Sequence, residues 1–276
     1  MTKQAVHCML KRFHKKKEEE YQLLSLVYDI RKDHPTMCVR DMYYQLMPEH
    51  MGRDAFERLC RDWDLMSQTQ KNGRRTTDSR GVERFENLIE NIDLTHIDQV
   101  WQSDITYYEI KGKFYYLTFI MDAFSRRILG YHASKRLYTE DTTLPALHQA
   151  IAIRKNKKLS GVIFHSDGGG QYYDAAFLEL TAYHKMRNSM CEFAWQNGKA
   201  ERINGVIKNN YLRHRKINNY EDLVKELDRS VQLYNRKKPH IALQRKSPVT
   251  FENELITLQQ QPKPMMKKSL DAMIRF

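Results

Sequence analysis

Three carboxylates stand where packing gives no reason for an ionised acid. Asp104 interrupts Val100-Trp101-Gln102-Ser103-Asp104-Ile105-Thr106-Tyr107. Asp167 lies in Phe164-His165-Ser166-Asp167-Gly168-Gly169-Gly170-Gln171-Tyr172, and Glu201 in Asn197-Gly198-Lys199-Ala200-Glu201-Arg202. The first two end or interrupt apolar, β-branched and aromatic runs that read as buried strands, and the third opens a helix. Hard oxygen ligands from separate elements suit Mg²⁺, which takes one or two carboxylates together with water and phosphate oxygens. The acids are 63 and then 34 residues apart, so only tertiary structure can gather them.

On a helix over 197–210, Glu201 and Lys208 lie seven positions apart and nearly one above the other, with Asn204 and Gly205 between them. Ile203, Val206 and Ile207 fall on the opposite side. Such a helix buries its aliphatic face and points Glu201, Asn204 and Lys208 at a common target. Gly205 in mid-helix costs about 1 kcal/mol relative to Ala, which close approach of another backbone would rationalise. Gly168-Gly169-Gly170 lacks the Lys-Ser/Thr ending of a phosphate-binding loop and the spacing of a dinucleotide fingerprint. It reads as a tight exit from a strand beside the metal. His165 either orients a ligand or packs.

The elements that must position these groups are read from periodicity. A short helix is expected around Gln4–Arg12, followed by a charged link over 14–20. Leu23, Leu24, Val27 and Ile30 then recur at helical spacing as far as Pro35. A second helix fits Val39–Met47. A third starts at Asp54 with Glu57 as its capping-box partner, and Arg53, Arg58 and Arg61 cluster on it. The unit looks like a helix-turn-helix or a small structural bundle. Residues 67–80 are polar and unpatterned, a linker. Beyond it the period becomes that of strands, over Gln99–Ile110, Lys113–Asp122 and Arg127–Ala133, with Lys111-Gly112 as a tight turn. A helix at Thr139–Arg154, a strand at Val162–His165, a helix at Ala175–His184, a strand near Asn188–Met190 and helices from Asn197 and over Tyr220–Arg236 follow. Three meandering strands and then alternating helices and strands imply a mixed sheet with helices against it. Asp104 falls mid-strand and Asp167 just past a strand end, where active sites of such sheets gather.

Charge is distributed unevenly along the 276 residues, +4 over residues 1–80, −1 over 81–201 and +9 over 202–276. A near-neutral middle that holds the acids, between basic flanks, fits a polyanion gripped by the flanks and processed by the middle. Cysteines 8, 38, 60 and 191 form no Cys-x-x-Cys pair, which suits reduced thiols and argues against a zinc module. Nothing approaches 18 apolar residues in a row, so neither a signal peptide nor a membrane span is expected.

The three segments around Asp104, Asp167 and Glu201 together resemble the signature segments of DDE transposases and retroviral-type integrases. Tyr234-Asn235, Pro239-His240, Leu243 and Pro248 resemble the closing pattern of insertion-sequence transposases, and the N-terminal part is similar to the small unit that precedes the core in the second-frame product of two-frame elements. The resemblance, over roughly residues 20–255, implies an RNase H-like mixed five-stranded sheet flanked by helices, with a small all-α, helix-turn-helix-like N-terminal domain. It places DNA binding in 1–66, a linker in 67–86, the core with C-terminal helices in 87–250, and a basic tail in 251–276. It implies that Asp104 bridges two Mg²⁺ ions while Asp167 and Glu201 each hold one, with Mn²⁺ able to substitute. It implies phosphodiester cleavage and strand transfer on double-stranded DNA. Lys208, Asn204, Lys199, Arg202, Arg58 and Arg61 are the expected DNA contacts. The partners expected are element ends and target DNA, further copies of the chain on that DNA, and an upstream-frame (OrfA) protein, in a bacterial cytoplasm close to the nucleoid. A DNA-binding protein with an inactive core, or an RNase H-like nuclease, is the alternative.

Overall fold

The computed structural model describes residues 1–67, 85–155, 159–191 and 194–260. The linker expected over 67–86 and the last sixteen residues of the expected tail lie almost wholly outside the described residues.

The N-terminal region is all helical. Its first helix, α1 (Lys3–Asp33), is continuous, where two helices and a charged link were expected. The reason is the order of charges in Lys15-Lys16-Lys17-Glu18-Glu19-Glu20. Lys15 pairs with Glu19 and Lys16 with Glu20 at i,i+4, and Lys17 with Glu20 at i,i+3, so the run supports a helix on its exposed surface. Helices α2 (Val39–Leu46) and α3 (Arg53–Asp62) complete the unit. Leu24 and Val27 of α1 meet Val39, Met42, Phe56, Cys60 and Leu65 in a separate core. Arg31 fastens the ends of this unit by donating to the carbonyls of Pro35, Met37 and Leu65 at 3.0, 2.5 and 2.6 Å. The capping box does not form. Gly52 is the N-cap of α3 without a side-chain bond, and Glu57 instead accepts from Arg40 at 3.1 Å.

The rest is a five-stranded mixed sheet in the order β3-β2-β1-β4-β5, formed by β1 (Val100–Ile110), β2 (Lys113–Asp122), β3 (Ile128–Ser134), β4 (Ile163–Ser166) and β5 (Arg187–Met190). The first three are an antiparallel meander, and β4 and β5 run parallel to β1. Lys111 and Gly112 both have positive φ, 50° and 78°, which fits the expected two-residue hairpin turn. Alternation along the strands splits the core in two. Trp101, Ile120, Leu129 and Phe164 pack under α4 (Thr143–Ile153) and α5 (Ala175–Tyr183), with Leu147 and Phe177 among the helix residues. Leu117, Phe119, Met121 and Ile128 pack on the opposite face under α6 (Gly198–Gly205), the segment just after it and α7 (Tyr220–Lys237), against Ile203, Ile207, Leu227 and Val231. Gly130 lets β3 touch α4, since a Cβ there would stand 1.9 Å from the Ala146 carbonyl oxygen.

The chain over 248–260 is a helix, α8 (Pro248–Gln260), so the expected tail starts too early. Pro248 stands at the first helical position, where its missing N–H costs nothing. Glu252 of α8 is 1% exposed and reaches Arg154, Arg127 and Ser125. The Tyr234-Asn235 pair also has a structural meaning. The Asn235 side chain accepts from the Ile128 N–H at 2.9 Å and donates to the Ile128 carbonyl at 2.8 Å, supplying the ladder bonds of an absent neighbouring strand. The Tyr234 ring lies edge-on to His240 with centroids 4.9 Å apart. Replacing Asn235 by Leu leaves two buried backbone groups unsatisfied and is expected to cost about 2–4 kcal/mol, at about 1–3 kcal/mol for each orphaned group. Chemical denaturation measures it, and a loss below about 1 kcal/mol would show that the clasp is dispensable.

Candidate active site

Two of the three acids are set side by side by strand register. In the parallel pair β1–β4, Gln102 stands opposite His165, and Asp104 and Asp167 each follow two residues on. Asp104 projects to the sheet face covered by α6, and Asp167 leaves β4 at its carboxyl end.

The backbone around Asp104 is held from three sides. Ser103 is fully buried. Its hydroxyl donates to the Phe119 carbonyl at 2.9 Å and meets the Tyr172 hydroxyl at 2.8 Å, and its carbonyl accepts from the Asn197 amide at 2.9 Å. One Asp104 oxygen accepts from the Ile105 N–H at 2.9 Å and the other from the Asn204 amide at 2.6 Å. Asp167 accepts from the Gly169 N–H at 3.1 Å. A Cβ on Gly169 would stand 3.0 Å from that Asp167 oxygen and 3.2 Å from Gln171 Oε1, so a side chain here would crowd the acid, and the glycine serves space and not an unusual φ.

The charges oppose one another. Burial, followed by the carboxylates of Asp167 and Glu201, pushes the Asp104 carboxyl up to about 8, against the pull of the Ile105 N–H and Lys208. Burial also raises Asp167. Glu201 is exposed on the first turn of α6, within charge range of Asp104. Among the described residues no three His, Cys, Asp or Glu side chains already form a group that could hold a metal ion. The aspartates are thus placed together, and Glu201 stands outside a closed ligand set. The donors nonetheless fit a divalent cation. Hard oxygens are forced together at an energetic cost, and the side-chain oxygens of Asn204 and Asn197 are buried beside them without a partner.

The other expected site residues divide. Asn204, expected as a DNA contact, is 6% exposed and donates to Asp104. The regular helix expected as far as Asn210 ends at Gly205, and a π-helical segment spans Val206–Tyr211. Widening the turn there brings Lys208 onto β1, where its ammonium donates to Thr106 Oγ1 at 3.1 Å and lies 5.2 Å from the Tyr107 ring centroid. π-Segments of this kind recur at functional sites. Lys199 is half-buried and Arg202 exposed, both on α6. Arg58 and Arg61 lie on the outer surface of α3, remote in sequence from the acids and opposite its buried Phe56 and Cys60. His165 packs. It is fully buried, bonded to Ser189 Oγ at 2.9 Å, and held neutral by burial, which lowers it to about 4. Ser103, Asn197 and Tyr172 escape sequence reasoning as site residues, because backbone and hydroxyl contacts leave no spacing signature. Cys191 escapes it as well, a buried thiol raised to about 11 by burial and then by Asp167.

Comparison with known proteins places the chain in a family. Residues 95–194 match the family described as "Integrase core domain", and residues 185–248 match a second family of the same description. The transposase for insertion sequence element IS629 of Shigella sonnei is 30% identical over 223 residues, covering 76% of this chain and 73% of the relative. The insertion element IS600 uncharacterized 31 kDa protein of Shigella sonnei is 29% identical over 209 residues, covering 74% of this chain and 76% of that protein. Among solved structures, the HTLV-2 integrase catalytic core domain in complex with magnesium aligns at 20% identity and TM-score 0.45, over 56% of this chain and 96% of its own. With a mixed five-stranded sheet, paired aspartates on adjacent strands and a glutamate on the next helix, the chain belongs to the insertion-sequence transposases, DDE enzymes of the retroviral integrase superfamily.

Proposed function

We propose that this transposase cleaves and joins DNA strands at the ends of its element with Asp104, Asp167 and Glu201 as metal ligands. The observation that carries the reading is the forced approach of Asp104 and Asp167 on adjacent strands, with Glu201 near enough to add to the repulsion. Asp104, Asp167 and Glu201 would hold the two Mg²⁺ ions of this reading, with Asp104 the acid common to both. Bound metal supplies activation of a water or 3′-hydroxyl and charge stabilisation at the leaving oxygen. The chain's own residues do the rest. Ser103, Asn197 and Tyr172 fix the β1 backbone, and Asn204 fixes one oxygen of Asp104, so that two oxygens of different strands keep a constant separation. Gly169 keeps the flank of Asp167 free of a side chain.

Around the core, residues 1–66 are a DNA-binding unit that presents Arg58 and Arg61. Lys199, Arg202 and Lys208 bind phosphates beside the acids, and residues 87–260 form one catalytic unit. Copies of the chain work together on DNA, and an upstream-frame protein assists. Among the described residues no helix is long and apolar enough to cross a membrane. The test is strand transfer by the full chain. Labelled duplexes carrying the ends of the encoding element are incubated with plasmid DNA and Mg²⁺ or Mn²⁺. Joined products that vanish with chelator are expected, and no cleavage or joining with either ion would overturn the proposal.

A further inference from the structure

The first four turns of α1 carry an apolar stripe that no other described element covers. Val6, Met9, Leu10 and Phe13 follow the i, i+3, i+4, i+7 spacing of one helix face and are 41% to 61% exposed. Val6 and Met9 stand eighteen residues before Leu24 and Val27, which are buried in the core shared with α2 and α3. Eighteen residues are five whole turns, so the stripe is the packing face of α1 continued past its packing partner. Four large side chains on one face differ from apolar residues scattered singly over a surface. Residues 3–17 also hold six basic residues and no acid.

The complement lies on the same unit. Farther along α1, the helix and the chain after α2 enclose a groove of about 420 Å³. Leu23, Leu26, Leu46, Pro48 and Met51 give it an apolar lining, and Glu19, Glu20 and Glu49 supply carboxylates. Glu19 and Glu20 face Lys15, Lys16, Lys17 and His50 at 2.8 to 4.0 Å. Ion pairs of this kind at a surface hold little energy, so they do not keep the acids from another cation.

A basic helix with a bare apolar stripe fits an acidic groove with an apolar lining. The stripe cannot enter the groove of its own chain, because α1 is one unbroken helix that carries the two in succession. DNA would pair with the cations but leave the stripe in water, and the carboxylates of the groove would repel it. Parallel alignment of two α1 helices would set six cations against six. An antiparallel crossing sets each basic half on the acidic half of the other and repeats the contact under a twofold axis, as a closed pair requires. We propose that the first four turns of α1 dock in the groove of a second copy, and that two copies pair in solution through these reciprocal contacts. Pairing of this kind is independent of the catalytic reading, because neither DNA nor metal takes part in it.

The experiment is sedimentation velocity of the full chain without DNA or metal, over about a hundredfold range of concentration in the micromolar region. Wild type is expected to be dimeric at the upper end. Lys3→Glu/Arg12→Glu makes the flanks of the stripe acidic, and Glu19→Lys/Glu49→Lys makes the groove basic. Either variant opposes like charges twice in a pair and is expected to weaken self-association at least about a hundredfold. An equimolar mixture of the two restores both contacts with the charges exchanged, and is expected to be dimeric again. Loss of structure would not produce that recovery. Leu10→Ala/Phe13→Ala keeps every charge and a strong helix former at each position, and is expected to be monomeric with the melting temperature of wild type. A wild-type chain that stays monomeric throughout, a dimer that the variants leave intact, or a mixture of folded charge variants that stays monomeric would overturn the proposal. So would pairing that appears only when a duplex is added, since the cations of the stripe would then belong to DNA.

Discussion

Asp104→Asn, Asp167→Asn and Glu201→Gln are each expected to reduce cleavage and strand transfer by at least about a thousandfold, some 4 kcal/mol of transition-state stabilisation, while leaving DNA affinity in chelator within about twofold. Each substitution keeps side-chain volume and removes the charge a divalent cation needs. Asp104→Asn should give the largest loss, because the charges of both other acids act on its carboxyl and it is the proposed shared ligand. Stability should move the other way. A carboxylate pushed up by burial and by two like charges is a cost to the metal-free fold, so Asp104→Asn should melt no lower than wild type. Near wild-type strand transfer by any of the three variants would remove that acid from the metal site. A fall in melting temperature that parallels the loss of activity would mean the variant had lost structure and not a ligand.

The contrast between Glu201 and its neighbours shows how much of the site was legible in the sequence. An Asp inside a run such as Val100–Tyr107 conflicts with burial, and that conflict is visible without coordinates. The strand order that sets Asp104 beside Asp167 follows once three meandering strands are followed by a parallel crossover. The helix residues are harder to place. Spacing put Asn204 with Glu201 and Lys208, but the turn widens after Gly205, Asn204 faces the sheet, and Lys208 meets Thr106 and Tyr107. Wheel geometry assumes a constant twist, and a π-segment breaks it. Ser103 and Asn197 were not legible at all, because they act through a backbone carbonyl.

The fold shows the same division. Hairpins and amphipathic helices were found close to their observed limits because burial imposes a period. Residues 14–20 read as a link because they carry no apolar periodicity, and i,i+4 charge pairs hold the helix there instead. Asp54 and Glu57 had the spacing of a capping box, but Gly52 starts α3 two residues earlier. Residues 251–260 read as tail because Pro248, Pro262 and Pro264 flank them and basic residues follow. What makes that segment part of the core is one acid, Glu252, whose partners lie about a hundred residues away in sequence.

That acid carries the second large effect. Glu252 is 1% exposed and accepts from Arg154 at 2.8 and 2.7 Å, from Arg127 at 2.6 Å and from Ser125 at 2.6 Å. Arg154 is 6% exposed and also donates to Asp98 at 2.6 Å, so the network ties α8 to the turn after β2, the end of α4 and the loop before β1. Burial pushes the Glu252 carboxyl up, but the Arg154 bonds and charge, with Ser125 and Arg127, outweigh it and hold the group at about 2, below its ordinary 4.5. Removing Glu252 takes the two-pronged partner from a buried guanidinium that then keeps Asp98 and the more distant Asp122, so Glu252→Gln should cost about 3–5 kcal/mol, measured by urea denaturation at neutral pH. A folded-state pKa below the unfolded one gives stabilisation that is complete above about 4.5 and is lost as pH falls through about 2. The gap between wild type and Glu252→Gln should therefore be widest at neutral pH and narrow steadily below about 4.5. Arg154→Met in the Glu252→Gln background should recover part of the loss, since the guanidinium left short of partners is then gone. A gap independent of pH, or a Glu252→Gln variant as stable as wild type, would mean that apolar contacts of α8, such as Phe251 against Phe124 at 5.8 Å between ring centroids, hold the helix without the ion network.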